Sequence, residues 1–297
     1  MARKMPGPVG VCLPVSFTTT PPADQRRAAV RRLEDAGYQM IWTNEVIGKD
    51  AFVQLGALLA TTEVTVFGTF VANIWARPAQ TMHAAAAQLA EAYPGRLAVG
   101  LGVGYPEQAA SVGQGFGSPL ATMRDYLERM DSPTWPPAPY AAYPRMIAAN
   151  GPKMLALAGE IADGAMPAGL PSTFTAQARE VLGPDKLLVV GLSVIPDADA
   201  GRAKAAARES VSARLAAPSY AARMAGLGYT AREIAEISDR LVDALVAHGD
   251  SSAIAARVRE HMRAGADHVA LLLPIGGEFS AGIDELARLA PALAELS

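Results

Sequence analysis

The chain alternates short apolar runs with longer amphipathic stretches. Eight runs stand out: "VGVCLPV" (9–15), "QMIWT" (39–43), "VTVFGTFV" (64–71), "LAVGLGV" (97–103), "RMIAA" (145–149), "DGAMP" (163–167), "LLVVGLSVI" (187–195) and "HVALLLP" (268–274). Most are continuous rather than alternating, which is the pattern of parallel strands buried on both faces. Between them lie helical patterns such as "PADQRRAAVRRLEDAG" (22–37), closed by Gly37, and "QTMHAAAAQLAEA" (80–92). A third, "SSAIAARVREHMRAGA" (251–266), has Ser251 as its expected N-cap. A repeated strand–helix order predicts a doubly wound sheet or a (β/α)8 barrel. Two longer helical stretches, 119–131 and 199–247, read as insertions into one barrel of residues 1–297, because neither carries enough strands for a core of its own. The Pro-rich "SPTWPPAPYAAYP" (132–144) reads as a loop returning the chain to strand five.

The glycines of "RLAVGLGVGYPE" decide between the two folds. Gly100, Gly102 and Gly104 give G-x-G-x-G, followed by Tyr105 and Pro106. A dinucleotide-binding turn needs G-x-G-x-x-G running directly into a helix, with an acidic residue about twenty positions on. Neither condition is met, so the barrel stands. Small residues at the end of a strand also let a flat ring approach the backbone.

Composition narrows the function. Of 297 residues, 51% are hydrophobic and 19% charged, enough for a large core. The net charge is −3 and no basic block occurs, so nucleic acid is not an expected partner. Cys12 is the one cysteine, which excludes an intrachain disulfide and reads as a small buried hydrophobe. No apolar run reaches membrane-spanning length, and Pro6, Gly7, Pro8 and Gly10 interrupt the N-terminal stretch. The expectation is a soluble cytoplasmic protein. Its Ala-rich helices point to a surface buried in a homodimer.

Barrel active sites lie at the C-terminal ends of the strands. After strand two, "TNEVIGKD" puts Glu45 where it can reach the mouth or remain a solvated loop carboxylate. After strand three, "GTFVANIWARP" brings Asn73, Trp75 and Arg77 to the rim. After strand five comes "AANGPKMLALAG", where Asn150 or Gly151 can cap a helix and Pro152 suits its first turn. The free N–H groups of such a turn attract an anion. His83 and His261 fall in helices, His248 in a helix-to-loop turn, and His268 at the start of the last strand, on the stabilising face. There is no H-E-x-x-H, cysteine cluster or G-x-S-x-G, so no metal site and no serine triad is expected. A mouth with so few titratable groups suits an organic cofactor that carries the chemistry for a small-molecule substrate.

Taken together, "LEDAGYQMIWTNE", "FGTFVANIWARPAQTM", "YPGRLAVGLGVG", "PRMIAANGPKMLALAGEIADGA" and "SDRLVDALVAHGDSSAIAARVREHMRAGADHVAL" resemble the luciferase-like superfamily of flavin- and deazaflavin-dependent oxidoreductases. The resemblance is strongest to its coenzyme F420-dependent branch, common in actinobacteria. It implies a (β/α)8 barrel with insertions and hydride transfer between F420 and a small organic substrate. It further implies a non-prolyl cis peptide at Phe70–Val71 backing the cofactor ring, with Asn73 at the ring's edge and Gly102, Val103 and Gly104 lining it. Ala149, Asn150, Gly151 and Pro152 would hold the phosphate of the cofactor's tail. Glu45 would sit beside the ring, either transferring a proton or fixing the ring's orientation.

The chain departs from the sugar-phosphate dehydrogenases that this superfamily contains. Val46 stands where they carry histidine and Tyr105 where they carry glutamate, so alcohol oxidation through that pair is not expected. An FMN-dependent monooxygenase and a non-catalytic cofactor-binding homologue are the alternatives. A Schiff-base lyase ranks last, because no lysine lies in the eight runs.

Overall fold

The structure is a computed structural model that describes residues 5–46 and 48–296. Its strands are β1 (Val9–Cys12), β2 (Met40–Thr43), β3 (Val66–Asn73), β4 (Leu97–Gly102), β5 (Arg145–Ile147), β6 (Gly164–Ala165), β7 (Leu187–Pro196), β8 (Val246–Gly249) and β9 (His268–Leu272). The helices are α1 (Ala23–Asp35), α2 (Ala51–Leu59), α3 (Ala79–Ala92), α4 (Pro106–Ser111), α5 (Pro119–Met130), α6 (Pro152–Ile161), α7 (Ser172–Leu182), α8 (Ala200–Leu215), α9 (Pro218–Gly226), α10 (Ala231–Ala235), α11 (Asp239–Leu245), α12 (Ser251–Arg263) and α13 (Phe279–Ala294).

All strand pairings are parallel. β1 to β7 pair in sequence, β7 pairs with β9, and β9 returns to β1, closing a (β/α)8 barrel. The eight apolar runs are therefore the eight staves, although the third begins at Val66 and continues to Asn73. β8 lies outside the ring. Ser193 pairs with Leu272 on one edge and with Val246 on the other, so β8 flanks the C-terminal end of β7 beyond the short β6. Three expectations are corrected here. The 199–247 insertion is four helices that end in a strand, and His248 lies in that strand rather than in a turn. A third concerns α12, which is capped by Asp250 accepting from the Ala253 N–H at 2.8 Å, with Ser251 as its first residue.

Alternation along each strand sorts side chains into two buried sets. Met40 and Trp42 join Cys12, Met146 and Met166 in one cluster, whereas Ile41 packs with the helical layer. The first set fills the barrel by pairing large side chains with glycines. A Cβ on Gly68 would stand 2.5 Å from the Trp42 ring, and one on Gly100 would stand 2.3 Å from Met166 Sδ. One on Gly191 would stand 2.6 Å from the Phe70 ring. Gly100 is therefore glycine because the interior is close-packed, and any added methyl group would overlap a neighbour.

His268 stands at the N-terminal end of β9. Trp42 Nε1 donates to its Nε2 at 3.2 Å, and its Nδ1 meets the Gly7 carbonyl at 2.9 Å, which fixes the proton on Nδ1. Burial pushes its pKa down to about 4, so the ring is neutral and structural.

Candidate active site at the barrel mouth

The wall between β3 and β4 is pinned by one threonine. Thr69 Oγ1 donates to the Gly100 carbonyl at 2.7 Å and accepts from the Gly100 N–H at 2.9 Å. Immediately beyond it the Phe70–Val71 peptide is cis, as the resemblance implied, and the pairing register slips between Thr69 and Ala72. Phe70 meets Trp42 edge to face, with ring centroids 5.9 Å apart. Val71 turns onto β4, where its Cγ2 would lie 2.4 Å from a Cβ on Gly102. That contact corrects one expectation. The space above Gly102 is filled by Val71, so a ring cannot rest there on bare backbone.

Asn73 ends β3 and is buried. Its Oδ1 accepts from the Trp75 N–H at 3.0 Å, and Trp75 Nε1 donates to the Val103 carbonyl at 2.7 Å. Asn73 Nδ2 has no partner among the described residues. Buried amide groups are nearly always satisfied, so this donor at the mouth end of β3 is a candidate partner for an acceptor from outside the chain, a water or a ligand. Gly104 follows with φ +60°, and a Cβ there would fall 2.1 Å from Gln108 Oε1.

Glu45 is neither solvated nor free. Its Oε1 accepts from the Ala51 N–H at 2.9 Å and its Oε2 from the Asn73 N–H at 2.8 Å. Arg77 adds Nη1 to Oε2 at 3.2 Å and Nη2 to Oε1. Four donors meet the roughly four lone-pair sites of a carboxylate, which leaves none for a substrate proton. Of the two roles expected for Glu45, this geometry suits positioning: the carboxylate clamps together the loops that follow β2 and β3. Arg77 also holds Asp50 Oδ2 at 2.7 Å and stacks over Phe52. Burial works to raise the Asp50 pKa, but the Val53 N–H, Arg77 and the Phe52 N–H outweigh it and hold it below the usual range. Burial likewise opposes the charge on Arg77, and Glu45 and Asp50 outweigh it, so its pKa is raised.

The sequence reading passed over Lys49. Its Nζ donates to Thr43 Oγ1 at 3.1 Å and to Asn44 Oδ1 at 2.9 Å, and burial lowers its pKa. Tyr105 is 70% exposed.

Across the mouth, Ala149 is buried in the sheet and Asn150 Oδ1 accepts from the Ala168 N–H at 2.9 Å, tying the loop after β5 to the loop after β6. Gly151 is the N-cap of α6, in extended backbone, and no side chain caps the helix. Pro152 has no N–H, so the free donors of this turn belong to Gly151, Lys153 and Met154. Arg223, from α9, brings Nη1 to 3.3 Å from where a Gly151 Cβ would stand. The arginines of α8 and α9 were also missed. Their signal was available: residues 210–232 hold three arginines and no acidic residue.

Among the described residues, no group of three or more His, Cys, Asp or Glu side chains could hold a metal, and no helix is long and apolar enough to cross a membrane.

A closed parallel barrel with a bulged third strand and an uncapped helix start at its mouth defines a (β/α)8 ligand-binding architecture. The chain belongs to the luciferase-like monooxygenase family, whose profile matches residues 8–268. Rv3520c of Mycobacterium tuberculosis, whose name describes a coenzyme F420-dependent oxidoreductase, is 29% identical over 187 residues, 52% of this chain and 54% of the relative. The chain thus spans about half the length of that relative. The 5,10-methylenetetrahydromethanopterin reductase of Methanolobus tindarius is 24% identical, over 88% of this chain and 94% of the relative. Among solved structures, an F420-dependent secondary alcohol dehydrogenase with an F420–acetone adduct superposes with a TM-score of 0.73 at 16% identity, covering 97% of this chain and 99% of that one. The oxygenating constituent of 3,6-diketocamphane monooxygenase from Pseudomonas putida, in complex with FMN, gives 0.73 at 15% identity, covering 99% and 98%. At these identities the structural matches establish the fold.

Proposed function

We propose that this protein is an oxidoreductase that binds the deazaflavin F420 at the barrel mouth and passes a hydride between it and a small organic substrate. The observation that carries the reading is Asn73 Nδ2, a buried donor without a partner at the end of the bulged strand. A deazaflavin ring presents carbonyl and ring-nitrogen acceptors along its edge, which suit that donor. Phe70 and Val71 back the ring, with Val71 covering Gly102, and Val103 and Gly104 line its flank. The uncapped start of α6, after Ala149, Asn150 and Gly151, suits the phosphate of the tail, with Pro152 shaping the turn. When bound, the cofactor supplies the hydride donor or acceptor, and the chain supplies its orientation. In this reading Glu45 is a positioning residue. Its bond to the Asn73 N–H holds the ring-binding end of β3, and Arg77 keeps the carboxylate in place.

The name of the M. tuberculosis relative supports F420, and the FMN complex among the structural neighbours supports FMN as the second reading. Both cofactors carry a phosphate and an acceptor-edged ring. With Val46 and Tyr105 at the two positions discussed above, neither reading includes a histidine–glutamate pair for oxidising an alcohol. The test is the visible spectrum of the protein purified from a host that makes F420. Retained F420 supports the reading, and retained FMN overturns the choice of cofactor.

A further inference from the structure

The α8–α9 insertion brings a basic cluster to the start of α6. Arg214, near the end of α8, donates Nη2 to Ser193 Oγ on β7, and its Nη1 lies 2.6 Å from where a Gly169 Cβ would stand. Tyr220, one turn before Arg223 on α9, donates its hydroxyl to the Gly169 carbonyl at 2.6 Å. Arg223 Nη1 lies beside Gly151. Gly151 and Gly169 belong to the two loops that the Asn150–Ala168 bond ties together. Two guanidinium groups, a phenol and an uncapped helix start therefore meet at the adjacent ends of β5, β6 and β7.

The charges of this cluster are unbalanced. Among the described residues no carboxylate pairs with Arg214 or Arg223, whereas the half-buried Arg145 and Arg179 each end on an aspartate. Burial lowers the Arg223 pKa, with only the Tyr220 oxygen opposing. Partly desolvated cations without a counter-charge favour an anion, and a guanidinium fork matches the paired oxygens of a phosphate. The α8–α9 insertion is tied to the barrel here by Arg214 and Tyr220, so Arg223 is aimed at α6 by a fixed support.

We propose that Arg214, Tyr220 and Arg223 form an anion clamp in which the insertion grips a phosphate ester from the side opposite the α6 N–H groups. Arg223 makes the direct contact, while Arg214 and Tyr220 hold α9 in place and add positive potential. The phosphate has two possible sources, the cofactor tail or a phosphorylated substrate. Assigning it to the cofactor rests on the function proposed above; the clamp itself does not.

The test uses the intact protein and two ligand pairs: FMN with riboflavin, and F420 with its phosphate-free deazaflavin. Affinities are read from fluorescence, and inorganic phosphate binding is read by calorimetry. Arg223→Gln is expected to weaken the phosphate-bearing member at least tenfold and to leave the phosphate-free member within twofold, which also shows that the variant is folded. Arg214→Gln is expected to act in the same direction. Equal weakening of both members, or no weakening of either together with unchanged inorganic phosphate binding, would overturn the clamp. If the native protein binds both members of each pair equally, and Arg223→Gln still abolishes inorganic phosphate binding, the clamp stands and the phosphate belongs to substrate. That result would move the cofactor phosphate away from α6.

Discussion

Arg77 holds both carboxylate oxygens of Glu45, a residue 32 positions earlier in the chain, and the pair joins the loops that follow β2 and β3. The Glu45 side chain is 2% exposed, so removing Arg77 strands its charge in a poor solvent, whereas removing Glu45 leaves Arg77, 10% exposed, still paired with Asp50. Arg77→Met is expected to lower the unfolding free energy by about 3 kcal/mol, and Glu45→Gln by less, because Asp50 still balances Arg77. The double variant should lose less than the sum, because the one carboxylate it leaves without a partner, Asp50, is 46% exposed. Denaturant titration of the four proteins measures this. A carboxylate used for proton transfer would behave differently, with stability unchanged and turnover down by roughly 10²–10⁴.

Gly102 and Val71 compete for one volume, since a Cβ on Gly102 would lie 2.4 Å from Val71 Cγ2. Gly102→Ala should therefore destabilise the protein by about 1–3 kcal/mol, the usual range for overpacking. Adding Val71→Ala should recover most of that loss, read as thermal midpoints. If the second change makes matters worse, the two side chains do not share that space.

Two buried histidines set an acid limit on stability. His268 and His261 are neutral in the fold, with burial pushing each pKa down to about 4. In the unfolded chain they take up protons near pH 6.5, so between pH 6.5 and 4 the unfolded state binds more protons. Stability is therefore complete above pH 6.5 and falls toward pH 4, by about 3 kcal/mol for each ring, with no further loss from these groups below that. His268→Gln should flatten the slope of unfolding free energy against pH in this window by about one proton. An unchanged slope would show that His268 does not titrate differently in the two states.

The staves were legible because parallel strands buried on both faces write themselves as unbroken apolar runs. β8 was not, because the helical pattern of α11 runs through Leu245 into Val246 with no turn residue between them. Asp250 and Ser251 are adjacent capping types, and sequence alone does not rank them. Strand three runs past its expected end because the bulge after Thr69 lets pairing resume at Ala72. The position of Glu45 was readable, but its role was not. Arg77 and the Asn73 N–H reach it only after the barrel has closed. Arg214 and Arg223 were legible as a run of unbalanced charge but their targets were not, since Ser193 lies on a distant strand and Gly151 at the start of a distant helix.

At the start of α6, Gly151 has extended backbone (φ −149°, ψ 159°) that any residue can adopt. Gly151→Leu should leave unfolding unchanged and weaken cofactor binding more than tenfold, because the side chain would crowd the turn whose N–H groups meet the phosphate. Unchanged affinity would put the phosphate elsewhere.

The central claim is that this barrel mouth is built for a deazaflavin. The direct measurement is a pair of equilibrium titrations of the cofactor-free protein, one with F420 and one with FMN, followed by competition between them. The account predicts saturable F420 binding that FMN displaces only in large excess. Tight FMN binding with no binding of F420 would contradict it.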